Sequence, residues 1–187
     1  MKNILPLRDY IKSNNFNIIH AHYFFSAVVA TFAGVKPLVV SLMGTDLHMN
    51  NLFNIIIKIL CRYKWYITIV KSELMKKSIN YSKVFVLPNG VDLKRFIPMN
   101  KVFCQDMLGW DKGKKHILFP AYSYRPEKNF QLSKDAIRLL DQNKYELHYL
   151  QNTPNKSMPE LFNASDVILL TSIFEGSPNV IKEALAC

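Results

Sequence analysis

Two glutamates eight residues apart, Glu175 and Glu183, sit in the last stretch of the chain, FEGSPNVIKEALAC (174–187). The residues before it, DVILLTS (166–172), read as a buried strand running to the edge where α/β sheets bind ligands. Gly176 permits a tight turn there. Ser177 suits a helix N-cap and Pro178 a first helical position. The amides of Asn179 and Val180 would then point outward from the positive end of a helix, which is an anion site for a phosphate. The two carboxylates could accept hydrogen bonds from hydroxyls of a sugar or a ribose. The plain alternative is a capped helix with two solvated glutamates.

A second set of residues bears on that choice. After the strand HILFPAYS (116–123) comes YRPEKNF, with Arg125 and Lys128 at the strand's C-terminal end. In a parallel sheet this is the edge that carries Gly176. Two cations and a helix N-terminus at one edge suit a diphosphate, whereas an ordinary surface pair would be balanced by Glu127. In the first half, GTDLH places Gly44 and Asp46 at another strand end; His22 follows the first strand and His48 follows the GTD turn. Asp46 could orient a hydroxyl and a histidine could act as a base. No further ligands cluster in sequence around these histidines, so no metal is expected. His116 and His148 fall within strands and read as structural.

These residues need elements to hold them. An opening helical stretch (2–14) leads into NIIHAH (17–22), a strand, then FFSAVVATFAG (24–34), a buried helix ending at Gly34. PLVVSLM (37–43) is a strand and LFNIIIKILCRYK (52–64) a helix. WYITIV (65–70) is a strand, SELMKKSIN (72–80) a helix capped by Ser72, and KVFVLP (83–88) a strand. Residues 91–115 are polar and read as a linker with a short helix. A second alternation follows: strand 116–123, helix 128–142, strand 145–150, helix 157–165, strand 166–172 and helix 178–187. Apolar strands separated by helical crossovers predict two parallel sheets with covered faces, hence an α/β fold with a boundary near residue 95.

The 187 residues are 49% hydrophobic, enough for packed cores rather than a disordered chain. The formal charge of +10 is uneven: 13 Lys and Arg against 4 Asp and Glu in residues 1–100, but 11 against 10 in residues 101–187. A basic first half suits nucleic acid, an anionic membrane surface or phosphorylated ligands. No aromatic platform or recognition helix at a fitting spacing supports nucleic acid. Three widely spaced cysteines, Cys61, Cys104 and Cys187, fit neither a metal motif nor a disulfide framework and point to a reducing compartment. The N-terminus does not read as a signal peptide. The most lipid-like stretch is interrupted at Lys36-Pro37, short of the roughly 20 residues a spanning helix needs.

Five segments, in this order, make the chain resemble retaining glycosyltransferases of the GT-B fold, specifically glycosyltransferase family 4. They are IIHAHY (18–23), VVSLMGTDL (39–47), VLPNGVDLKRF (86–96), ILFPAYSYRPEKNF (117–130) and MPELFNASDVILLTSIFEGSPNVIKEALAC (158–187). The resemblance implies two Rossmann-like domains facing a cleft, both incomplete in this chain: residues 1–95 on the acceptor side and 96–187 on the nucleotide-sugar side. It implies that Arg125 and Lys128 bind the donor diphosphate and that Glu183 holds the ribose hydroxyls. Glu175 would contact the donor sugar. The backbone of Gly176, Ser177, Pro178, Asn179 and Val180 would cover sugar and phosphate. Gly44 would leave room near the diphosphate, and Asp46 and His22 would line the acceptor side.

The implied reaction moves a hexosyl unit from a UDP- or GDP-sugar to a hydroxyl acceptor of a polysaccharide, glycolipid or small glycoside, with retention by a front-face route. No cofactor is implied, and with no Asp-x-Asp motif the two cations replace a metal. The implied setting is bacterial polysaccharide synthesis in the cytoplasm or at the inner membrane face. There the lysine-rich stretches 58–64 and 71–77 would meet anionic lipid and the acceptor would be lipid-linked. Three departures stand out. Met43 occupies a position where many members have a histidine. The glycine-rich loop after the family's first strand and the segment after the last cysteine are missing. The alternative implied by these gaps is a truncated fragment without catalysis.

Overall fold

A computed structural model describes residues 2–48 and 51–187, with the His48 side chain outside the description. Contacts divide the chain into two units: residues 1–89 with 175–177, and residues 90–174 with 178–187. Residues 91–95 thus belong to the second unit, because the segment after Gly90 is anchored there by Phe96, buried against Phe162 with ring centroids 6.0 Å apart.

The first unit opens with α1 (Ile4–Lys12), then β1 (Ile19–His22), α2 (Phe24–Phe32) and β2 (Leu38–Ser41). A 3-10 turn, Gly44–His48, precedes α3 (Asn51–Tyr63), β3 (Ile67–Val70), α4 (Glu73–Ile79) and β4 (Val84–Val86). The strands form one parallel sheet in the order β1-β2-β3-β4, with Ala21 beside Val40, Val40 beside Thr68 and Thr68 beside Val84. Local chemistry sets the helix ends. Gly34 takes φ 85° just past α2, a conformation that costs glycine little. Ser72 caps α4 by accepting from the Met75 amide at 3.4 Å. Helices and sheet bury one core around Phe24, Leu38, Val40, Leu42, Ile57, Val70 and Val84. Each such side chain removed from water contributes about 1.5–3 kcal/mol.

The second unit holds α5 (Lys101–Leu108), β5 (Lys115–Tyr122), α6 (Phe130–Arg138), β6 (Tyr145–Leu150), α7 (Met158–Ala164), β7 (Val167–Ile168) and α8 (Asn179–Ala186). Its parallel sheet runs β6-β5-β7. Asn100 caps α5 from its side chain and Gly109 ends it at φ 67°. Asp166, at the start of β7, binds Lys101 at 2.6 Å, Lys115 at 3.2 Å and the His116 amide at 2.8 Å. Burial alone would raise its carboxyl, but these partners outweigh it and hold the group at about 2.

Two sequence expectations give way here. The strand expected over 166–172 pairs only at Val167 and Ile168; beyond it the Ile173 amide donates to the Glu127 carbonyl of the neighbouring loop. The last helix starts at Asn179, one residue later than expected. Pro178 is its cap residue, in extended conformation at φ −67° and ψ 118°, and Ser177 does not cap.

Candidate functional site

In the second unit the sheet's C-terminal edge is built around β5. The chain leaves Tyr122 through a 3-10 turn at Pro126–Lys128, with Arg125 just before it and Asn129 in the left-handed region just after it. Asparagine tolerates that conformation better than most residues. The Thr171 hydroxyl, which follows β7, lies 3.0 Å from the Lys128 carbonyl oxygen and 2.9 Å from that of Asn129. Its single proton is shared between them, so the buried Ser133 hydroxyl, 2.8 Å away, donates to it. The Ile173 amide donates to the Glu127 carbonyl at 3.0 Å. The loop with Arg125 and Lys128 is thus tied to the segment that leads into α8.

The charges at this edge are arranged as follows. Arg125 Nε donates to Glu127 Oε1 at 2.7 Å, so Arg125 is balanced by Glu127 as the surface-pair alternative has it, and a diphosphate would have to compete with that carboxylate. The backbone amide of Glu127 itself, the Arg125 guanidinium and the Lys128 charge hold the Glu127 carboxyl below its ordinary value. Glu183, inside α8, has its carboxyl raised by burial, with the Arg95 charge and then Lys182 opposing. Arg95 lies over the Phe96 ring at 4.8 Å and donates to Asn155. It is a cation near Glu183 that the sequence reading missed; its signal was its place in VDLKRF (91–96). Two buried side-chain oxygens, Ser172 Oγ and Asn179 Oδ1, have no hydrogen-bond partner among the described residues. Buried polar atoms of this kind are normally satisfied. One follows β7 and the other is the first residue of α8, where helix amides are also unpaired.

In the first unit, Gly44 and Gly176 meet backbone to backbone. A Cβ on Gly44 would lie 2.5 Å from Gly176 N, and one on Gly176 would lie 2.8 Å from Gly44 Cα, so neither position has room for a side chain. Beside them Glu175 lines a cavity of about 230 Å³ with Asn54, Lys58, Ser72 and Ser78 among its polar walls. Asn54 Oδ1 is buried without a partner among the described residues.

Asp46 is fully buried and accepts from the Phe24 amide at 3.0 Å and from the Met43 amide. Burial raises its carboxyl, and the two amide hydrogen bonds oppose the rise. Its oxygens therefore close the N-terminus of α2 and fix the turn before Gly44. His22 is exposed at the end of β1, its ring 4.2 Å from that of His20. His20 Nε2 lies 2.8 Å from the Ser41 hydroxyl, and burial, then the His22 and Lys71 charges, push its pKa down. Lys71 is a correction: grouped by sequence with the lipid-facing lysines, it is buried, and its ammonium donates to the Leu87 carbonyl at 3.3 Å. Its place at the end of β3 turns it along the sheet edge rather than outward.

With this geometry in place, known proteins supply a frame. The family model described as Glycosyltransferase Family 4 matches residues 1–95. The chain is 24% identical over 233 residues to an Escherichia coli UDP-Gal:alpha-D-GlcNAc-diphosphoundecaprenol alpha-1,3-galactosyltransferase, covering 98% of this chain and 59% of that protein. Among solved structures, sucrose-phosphate synthase from Thermosynechococcus elongatus superposes with a TM-score of 0.83 at 14% identity, over 100% of this chain and 58% of that one. Anabaena HepE in complex with UDP and glucose gives 0.79 at 15% identity, over 98% and 60%. At such identities the superpositions establish the fold, two parallel sheets of GT-B type. The chain spans about three fifths of the length of the relatives it matches.

Proposed function

The chain belongs to Glycosyltransferase Family 4, and on that premise we propose that it moves a hexosyl unit from a nucleotide diphosphate sugar to a hydroxyl acceptor. The observation that carries this reading is the hydrogen-bonded tie from Thr171 and Ile173 to the Glu127–Asn129 loop. It supports a reading in which two cations and the N-terminus of α8 serve one sheet edge. Arg125 and Lys128 bind the diphosphate, and the amides of Asn179 and Val180 add donors to it. As the bond to the sugar breaks, the same groups stabilise the charge on the leaving diphosphate. Glu183 accepts from the ribose hydroxyls. The unpartnered oxygens of Ser172 and Asn179 favour a polar ligand at this edge.

Glu175 addresses the donor sugar, with the backbone of Gly176, Ser177 and Pro178 covering it. Gly44 keeps that turn close, since any side chain there would displace it. Asp46 serves the site through the backbone it holds, as a positioning residue, and His22 lines the acceptor side. Residues 1–89 are the acceptor part and residues 90–187 the donor part. Transfer proceeds with retention, by front-face departure and attack.

The donor is a UDP- or GDP-sugar. UDP is favoured by the name of the E. coli relative and by the UDP seen with HepE. The name of the same relative favours a lipid-linked acceptor and, with it, bacterial polysaccharide synthesis at the inner face of the membrane. No helix among the described residues is long and apolar enough to cross a membrane.

Incubating the chain with a panel of UDP- and GDP-sugars and hydroxyl acceptors, and measuring released nucleoside diphosphate, tests the reading. Acceptor-stimulated release from one donor is expected. Absence of release from every donor, in a chain that also binds none of them, would contradict it.

A further inference from the structure

At the opposite edge of the second sheet three side chains converge that the transfer chemistry does not use. His116 lies near the start of β5 and Glu146 near the start of β6, paired in register, and His148 is two residues further along β6. With a period of two, Glu146 and His148 project from the same face of β6. Their nitrogen and oxygen atoms, with those of His116, all lie within 4.8 Å of one another. His116 Nδ1 is 2.9 Å from His148 Nε2 and 3.9 Å from Glu146 Oε2.

We propose that His116, Glu146 and His148 form a binding site for a zinc-class divalent metal ion. Two imidazole nitrogens and one carboxylate oxygen are a zinc donor set, and a fourth position remains for water. Tetrahedral zinc with bonds of about 2.0–2.1 Å needs ligand atoms roughly 3.4 Å apart. The 2.9 and 3.9 Å separations bracket that distance and the set spans up to 4.8 Å, so side-chain shifts of up to roughly 1.5 Å complete the site.

Protonation agrees with this. His116 Nε2 lies 2.9 Å from the Asp111 carbonyl oxygen, which only accepts, so Nε2 carries the proton and Nδ1 presents its lone pair. A backbone carbonyl on the far nitrogen is the usual outer partner of a metal-bound histidine. Without a metal, His148 Nε2–H donates to His116 Nδ1. On metal binding that proton passes through solvent to His148 Nδ1, and both rings stay neutral. Trp110 stacks on the His148 ring at 3.6 Å and 9°, fixing its plane. His116 is fully buried while the Glu146 side chain is 41% exposed, which leaves an entry path on the carboxylate side. Sitting at the strands' starts, the ion would clamp β5, β6 and the Trp110–Asp111 turn rather than take part in transfer.

The test titrates the metal-free full chain with Co²⁺ as a spectroscopic probe, then with Zn²⁺. One equivalent of Co²⁺ should give the visible absorption of a four-coordinate site, and Zn²⁺ should displace it. The melting temperature should rise with Zn²⁺. Glu146→Gln and His148→Asn should each weaken zinc binding by at least about 10-fold. Glu146→Gln lies at an exposed side chain and serves if His148→Asn fails to fold, as judged by circular dichroism. Folded chain that binds no stoichiometric Co²⁺, or a folded Glu146→Gln variant with unchanged zinc affinity, would overturn the proposal.

Discussion

Glu183 shows how a single carboxylate sets a measurable property of the site. Its carboxyl is raised by burial, with Arg95 and Lys182 opposing. It must be ionised to accept two hydroxyl hydrogen bonds, so affinity is full above its pKa and is lost as pH falls through it. Because that pKa is raised, the loss begins at a higher pH than for an ordinary glutamate. UDP-glucose suits the measurement, since its diphosphate stays fully charged over this range. Titrations by calorimetry between pH 7.5 and 5 should show affinity falling in the wild type and a flatter profile in Glu183→Gln. Parallel profiles would remove Glu183 from the ribose contact. Asp46 teaches a different lesson. Its type and its place at a strand end were legible in GTDLH, but its burial against two amides was not, because that depends on how α2 meets the turn at Met43.

The elements were largely legible because apolar runs and turn residues alternate so plainly. Every strand and helix expected from pattern has a counterpart, and Ser72 caps α4 as read. The errors fall around the last strand and the last helix: β7 stops at Ile168, after which Ile173 bonds the loop at Glu127, and Pro178 rather than Ser177 is the cap residue of α8. The His116, Glu146 and His148 cluster was not legible, because strand register across thirty residues of sequence leaves no local signal. One helix carries its own prediction. α3 exposes Leu52, Ile55, Ile59 and Tyr63 along one face, at helical spacing, with exposed Lys58 and Arg62 on the same element. A basic amphipathic helix of this kind suits an anionic membrane surface, which sets the expectation for lipid binding. Vesicle sedimentation should pellet the chain with anionic lipid, less so with neutral lipid or high salt, and Ile55→Ser with Ile59→Ser should reduce it at least several-fold, given about 1.5–3 kcal/mol per buried side chain. Equal pelleting on neutral and anionic vesicles would end the lipid reading.

The chain as a whole joins a basic first half, with 13 Lys and Arg against 4 Asp and Glu over residues 1–100, to a nearly neutral second half that carries the proposed diphosphate site. General charge is therefore not what would recognise the donor; the fixed placement of two cations and a helix end would. That distinction can be measured. Calorimetric titration of the whole chain with UDP-glucose and GDP-mannose, against the same chain carrying Arg125→Ala and Lys128→Ala, tests it most directly. Each charge-assisted hydrogen bond to a phosphate is worth about 1.5–3 kcal/mol, so the double variant should lose at least roughly 100-fold in affinity. Its circular dichroism should match the wild type. An unchanged affinity in a folded double variant would contradict the account.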